Sequence, residues 1–204
     1  MSIIGRFLAA SLWIIAVIPL AHAQGAFPPA RWDSQPGGPQ WTAAAHASVQ
    51  ALGATLINTV PQDIGTYCPA YPRLDASNRR AFWVYLMSAV AKFESKYKPE
   101  TSFQENFKDA QGNWVISRGL LQISKESANG YGCGIVDATV LHDPATNIAC
   151  GVRIMARWIG EDGSIARLEN SRWRGLARYW SPFRKSDRRA TIATWTKQQP
   201  YCAP

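Results

Sequence analysis

The stretch from Asp75 to Glu94 constrains the fold more than any other. Phe82, Leu86, Ala89 or Val90 and Phe93 recur at three- and four-residue steps, which predicts a helix over Asp75 to Ala91 with Asp75 or Ser77 as N-cap. Trp83, Val84, Met87 and Ala91 occupy the other face, so the helix is apolar nearly all round. A helix of that kind belongs in the middle of a domain, with other elements packed around it. Its last turn brings in Glu94, between Phe93 and Tyr97 and just before Pro99. An apolar setting penalises an ionised carboxyl and raises its pKa, which keeps a glutamate protonated near neutral pH and fits it for general-acid work. A solvated glutamate pairing with Lys96 or Lys98 is the competing reading of this stretch.

The chain available to surround that helix begins late. Arg6, the apolar run Phe7 to Leu20 and the small-residue site Ala21-His22-Ala23 read as a secretory leader over residues 1–23. The run is shorter than the roughly 20 residues that span a bilayer. Gln24, the first mature residue on this reading, is not a cysteine, so nothing indicates a lipid anchor. The expectation is a soluble exported protein, periplasmic or secreted beyond. Removing 23 residues from 204 leaves 181, enough for one domain with a sizeable core.

Four cysteines in an exported chain argue for two disulfides, and three pairings are open to them. Cys133–Cys150 with Cys68–Cys202 is the favoured set, the second tying the two ends of the domain together. A zinc site is disfavoured, because ligand spacing is lacking and only His46 and His142 are at hand. No metal and no cofactor are expected. Net charge is +8, or +7 without Arg6, with the excess falling late, from Arg167 to Arg189. A basic surface favours an anionic partner. Nucleic acid is the weaker choice, since no recognised binding motif accompanies the charge.

Gly25 to Gln40 is rich in proline and glycine and reads as a flexible lead-in. Thr42 is placed to cap a helix through about Asn58, stopped by Pro61. Glu100 to Ile116 is polar, with Asp109 to Asn113 as a turn and room for a small hairpin near Gly112. Asp143-Pro144 starts a helix that runs to about Ile159, with the aspartate as N-cap and proline in the first turn. Two short helices, about Ser171 to Trp180 and Asp187 to Gln198, close the chain. The fold class expected is mainly α, of α+β lysozyme-like type.

Three further segments accompany Glu94-Ser95-Lys96-Tyr97-Lys98-Pro99. They are Ser117-Arg118-Gly119-Leu120-Leu121-Gln122-Ile123-Ser124, Leu141 to Gly151 with Asn147 inside it, and Leu176-Ala177-Arg178-Tyr179. In this order and at these separations they resemble the soluble lytic transglycosylase family of bacterial cell-wall enzymes, which share the goose-type lysozyme fold. The resemblance covers about Asn78 to Phe183. It implies that Glu94 is the family's single catalytic glutamate and that Ser95 steadies the site. It further implies that Ser117, Gly119, Leu120 and Gln122 belong to the stretch lining the cleft, Gln122 as a sugar contact. Tyr179 matches a tyrosine whose hydroxyl reaches the catalytic carboxylate, and Asn147 a helix asparagine that is structural as often as ligand-binding. Among the aromatics, core packing is the default, and only Tyr179 and Trp114 are brought beside the cleft by these motifs. Arg178-Tyr179-Trp180 departs from the usual Ala-Tyr-Asn, and Leu121 replaces the usual methionine. On this reading residues 41–74 pack a helix and loop onto a catalytic domain at 75–204.

Most glycosidases need two carboxylates, roughly 5 to 9.5 Å apart. Glu100 and Glu105 fall in the polar segment, and Asp143 is better explained as a helix cap, so no second carboxylate stands out. A lone acid suffices where the sugar's own C6 hydroxyl replaces water and the product ends in 1,6-anhydromuramic acid. The resemblance therefore implies cleavage of the MurNAc–GlcNAc β-1,4 bond of peptidoglycan glycan strands by a monomeric lytic transglycosylase. A hydrolytic muramidase and a non-catalytic basic wall-binding module are the alternatives, and a usable second carboxylate in the cleft would favour the muramidase.

Overall fold

A computed structural model describes residues 27–204; the leader expected at 1–23 lies outside them. Helix α1 (Gly38–Leu52) is followed by α2 (Ala54–Asn58) and α3 (Ile64–Tyr67), then by the long α4 (Ala76–Glu94). Strands β1 (Ser102–Lys108), β2 (Trp114–Arg118) and β3 (Ile123–Ser124) form a three-stranded antiparallel sheet in that order. After it come α5 (Lys125–Gly130) and α6 (Pro144–Asp162), a two-stranded hairpin of β4 (Ala166–Glu169) and β5 (Arg172–Gly175), and α7 (Ser186–Lys197). The result is mainly helical with two small sheets. Among the described residues, no helix is long and apolar enough to cross a membrane.

Helix α4 is the axis of the core. Asp75 caps it, its carboxylate accepting from the Asn78 N–H at 2.8 Å. Every residue from Ala81 to Ala91 is buried, against α1, α2 and α7. Phe82, Trp83, Leu86, Met87 and Val90 are sealed from solvent, and burial of such side chains stabilises a fold by about 1.5–3 kcal/mol each. The indole of Trp83 donates to the Leu56 carbonyl and to the Tyr71 hydroxyl, both at 2.8 Å, so its one polar atom is satisfied inside the core.

The proline- and glycine-rich lead-in is not slack where it is described. Trp32 is fully buried, its indole donating to the Thr42 hydroxyl at 2.8 Å, and the Arg31 N–H donates to Ser88 of α4 at 3.0 Å. The first helix accordingly starts at Gly38, with proline in its first turn, and Thr42 lies inside it rather than capping it. It also ends sooner than expected, because Gly53 breaks the run into α1 and α2.

The polar segment after Glu100 holds the small hairpin expected near Gly112: Ser102 to Lys108 pairs with β2 across the expected turn, in which Asp109 Oδ1 accepts from the N–H groups of Gln111 and Asn113. The helix expected at Ser171 to Trp180 is a β-hairpin leading into a single 3-10 turn at Leu176–Arg178. Asn170 and Ser171 both have positive φ, 47° and 60°, which matches the right-handed twist of a tight hairpin and stops a helix.

Helix α6 begins as expected, with Asp143 accepting from the Thr146 N–H at 2.8 Å, and runs on to Gly163, a left-handed cap at φ 56°. Both disulfides take the favoured pairing. Cys68–Cys202 closes a sequence separation of 134 and Cys133–Cys150 one of 17. In the chain-entropy account, a loop as long as the first adds on the order of 4–5 kcal/mol.

Candidate active site

The buried helix ends abruptly, and its end is where polar chemistry enters the core. Glu94 is the last residue of α4. Ser95 follows as C-cap, then Lys96 and Tyr97 with φ 55° and 66°, two successive left-handed residues that turn the chain away before Pro99. Such conformations cost non-glycine residues roughly 1–3 kcal/mol each, and they gather where a structure holds a functional geometry in place. The Ser95 hydroxyl donates to the Leu120 carbonyl at 2.9 Å, which pins the helix end to the loop before β3.

That loop is itself clamped. Asn147, fully buried on α6, accepts from the Leu121 N–H at 2.9 Å and donates to the carbonyls of Arg118 and Leu141 at 3.0 and 2.9 Å. Gly119 (φ 76°) passes so near that a Cβ there would lie 2.1 Å from the Leu141 carbonyl oxygen and 2.5 Å from Asn147 Nδ2. The Trp180 indole donates to the Leu121 carbonyl at 3.0 Å. The loop then delivers Gln122, at φ 49°, whose amide donates to the carbonyls of Thr101 and Gly119 while its Oε1 is buried without a partner.

A cavity of about 530 Å³ opens at this junction. Glu94, Gln122 and Tyr179 line it, and so do Glu105 and Ser117 from the β1–β2 hairpin. The Ser117 hydroxyl donates to Glu105 Oε1 at 2.6 Å, across the register that pairs Phe103 with Ser117. Phe103 and Phe107, two residues either side of Glu105 and more than half exposed, share its face and complete that wall. Arg184 and Arg188 close another side.

Burial dominates the electrostatics of Glu94. Loss of water pushes its pKa up to about 7; the nearby guanidinium groups of Arg184 and Arg188 oppose the rise, and the Glu105 carboxylate adds to it. Arg184 is fixed by donation to the Ala177 carbonyl at 2.7 Å. Burial likewise drives the Tyr179 phenol well above its ordinary value, so it stays protonated as a donor. The arrangement is a neutral acid and a hydrogen-bonded carboxylate in one cleft, fit for acid–base cleavage of a polar substrate.

Of the residues singled out in the sequence, Glu94, Ser117, Gln122 and Tyr179 meet in the cavity. Ser95, Gly119, Leu120 and Asn147 stand behind it as scaffold: Ser95 and Asn147 spend their polar atoms on backbone, and Leu120 is fully buried. Trp114 is a correction of another kind, since it pairs with Lys108 rather than with the cleft residues, its ring about 5.0 Å from Lys108 Nζ. Glu105 was missed because the segment looked like polar loop. Its one sequence signal is the period-two alternation Phe103, Glu105, Phe107. Arg178 is not available to a ligand either, being paired with Asp162 at 2.8 Å. Among the described residues, no group of three or more His, Cys, Asp or Glu side chains is arranged to hold a metal ion.

Comparison with known proteins agrees with this architecture. The sequence profile of the transglycosylase SLT domain matches residues 73–191. No curated protein matches the chain. Among solved structures, wild-type DslA is 39% identical with a TM-score of 0.83, covering 85% of this chain and 97% of its own. Two glutamate-to-glutamine mutants of DslA are also similar, at 38% and 37% identity, TM-scores of 0.83 and 0.82, and coverage of 85% and 87% of this chain and 97% and 99% of theirs. The glutamates replaced in those mutants lie eleven residues apart in DslA. With profile, fold and cleft in agreement, this chain belongs to the transglycosylase SLT domain family, a lytic transglycosylase-type family that acts on peptidoglycan.

Proposed function

We propose that this protein cleaves the β-1,4 bond between MurNAc and GlcNAc in peptidoglycan glycan strands, with Glu94 as general acid and Glu105 as the second carboxylate. The observation that carries the reading is the pairing of these two groups in one cleft, the first with its pKa raised to about 7 and the second held by Ser117. Their separation of eleven residues equals that of the two glutamates mutated in DslA, which supports treating them as a functional pair.

Glu94 protonates the glycosidic oxygen as the bond to the anomeric carbon breaks. Glu105 takes a proton from a water that attacks that carbon, and the strand ends in a reducing sugar. This is the division of labour between two carboxylates in inverting glycosidases. Gln122, through its unpartnered Oε1, and Tyr179, through its phenol, supply hydrogen bonds that orient the sugar.

A second reading is lytic transglycosylation, and the family match favours it. There Glu94 alone acts twice, first as acid and then as base on the C6 hydroxyl of the muramoyl residue, giving a 1,6-anhydro end. Both readings need Glu94, and they part at Glu105. The test is muropeptide release from purified sacculi by the wild type, Glu94→Gln and Glu105→Gln. Loss of release in both variants supports the two-carboxylate reading. Loss in Glu94→Gln alone supports transglycosylation, and wild-type release by Glu94→Gln overturns both. The export expected from residues 1–23 accords with a cell-wall substrate.

A further inference from the structure

The cleft has a neighbour. A second cavity of about 650 Å³ is lined by Ser127, Gly130, Tyr131, Arg153, Arg157 and Trp158. Ser127 also lines the cavity of Glu94, so one side chain forms the wall between the two. An aromatic row runs across that wall. The Trp158 indole donates to the Tyr131 hydroxyl at 2.8 Å, and Tyr131 stands edge-on to Tyr179 with ring centroids 5.8 Å apart.

The charge of the second cavity is one-sided. Arg153 and Arg157 sit one turn apart on α6, on the same face of the helix. Arg157 pairs with Glu161 at 3.1 Å, in contact with solvent on both sides. Arg153 makes no ion pair or hydrogen bond with any described residue. The cavity therefore presents one uncommitted guanidinium and one weakly engaged one, between two aromatic walls. No acidic side chain lines it.

We infer that this second cavity binds a carboxylate of the peptide carried on the glycan strand, so that the protein reads the stem peptide beside the bond it cuts. The inference rests on the peptidoglycan reading of the neighbouring cleft. Peptidoglycan sugars are uncharged where the muramoyl lactyl group is amide-linked, and the anionic groups of the polymer are the carboxylates of its peptides. A guanidinium offers such a group a planar fork of donors, and the Tyr131 and Trp158 rings cover the aliphatic part of the chain that leads to it. The shared Ser127 wall brings the peptide pocket next to the sugar cleft, as a short lactyl-linked branch requires.

The test compares two soluble substrates: peptide-bearing glycan strands, and the same strands after an amidase has removed the peptide and the exposed lactyl carboxylates have been converted to methylamides. The wild type should show a kcat/KM about tenfold higher on the peptide-bearing strands, most of it in KM, the scale of a charge-assisted hydrogen bond. Arg153→Ala combined with Arg157→Ala should bring that ratio near one, while Arg73→Ala combined with Arg172→Ala, an equal loss of charge at exposed positions elsewhere, should keep the wild-type ratio. A double variant that retains the full preference overturns the inference, and so does a wild type with no preference. Binding of a free stem tetrapeptide to Glu94→Gln, followed through the Trp158 indole resonance, separates this from failure of the parent reading. A shift lost when Arg153→Ala and Arg157→Ala are added to Glu94→Gln upholds the pocket even if neither strand is cut; a shift that survives them, or no shift at all, overturns it.

Discussion

The two carboxylates of the cleft come from opposite kinds of structure. Glu94 ends a helix whose every residue from Ala81 to Ala91 is buried, and its chemistry is made by the absence of water. Glu105 lies on a strand that is otherwise exposed, and what holds it is a single hydroxyl, that of Ser117 at 2.6 Å. Burial penalises charge, which keeps Glu94 protonated toward neutral pH; Glu105 is held by geometry, through one hydroxyl on a wetter wall. The fold brings the two side chains to one cavity by setting the end of a core helix against a surface hairpin.

The sharpest way to break the comparison is to neutralise each side in turn. Glu94→Gln should lower turnover by about 10²- to 10⁴-fold with the circular dichroism spectrum unchanged. Glu105→Gln should cost on the order of 10²-fold if it delivers water, and little if it does not. Ser117→Ala leaves Glu105 in place but removes its donor, and should cost about tenfold in kcat, the scale of a hydrogen bond to a charged group. Trp114→Ala, on the same hairpin but away from the cleft, should stay within about twofold, since isolated surface changes are small.

The pH dependence sharpens the same contrast. With the Glu94 pKa near 7, activity should fall as pH rises through that value, because the acid is lost. Glu105→Gln removes a neighbouring negative charge, so its residual activity should lose its alkaline limb at lower pH. Stability runs in the same direction. A carboxyl whose folded pKa lies above its unfolded one binds more protons when folded, so wild-type stability is fullest below the unfolded value, near 4.5, and declines as pH rises to 7. Glu94→Gln escapes that decline. It should melt higher than the wild type at pH 8, by a difference on the order of 2 kcal/mol that vanishes near pH 4, as thermal unfolding would measure.

The same contrast decided how much could be read from the sequence. The core helix and Asp75 and Asp143 as caps were legible, because burial and capping leave periodic and local marks; the disulfide pairing was a preference among three that the sequence leaves open, and the structure takes it. The position of Glu94 at the end of that helix was legible for the same reason. Glu105 was not, since β1 buries little and its order comes from pairing with β2, whose partners lie six to sixteen residues on. The hairpin at β4–β5 was misread as helix because its turn is made by Asn170 and Ser171 in a conformation that residue type alone does not demand. Trp32 was taken for part of a linker because proline and glycine outnumber the one indole that anchors it.

The central claim is that two carboxylates divide the work, so that water and not the sugar's own hydroxyl completes the cleavage. Digestion of sacculi by the wild type in heavy-oxygen water, followed by mass spectrometry of the released muropeptides, tests it directly. Reducing ends carrying one heavy oxygen are the predicted result. Fragments one water lighter, with no label, would contradict it and leave Glu94 as the sole acid and base.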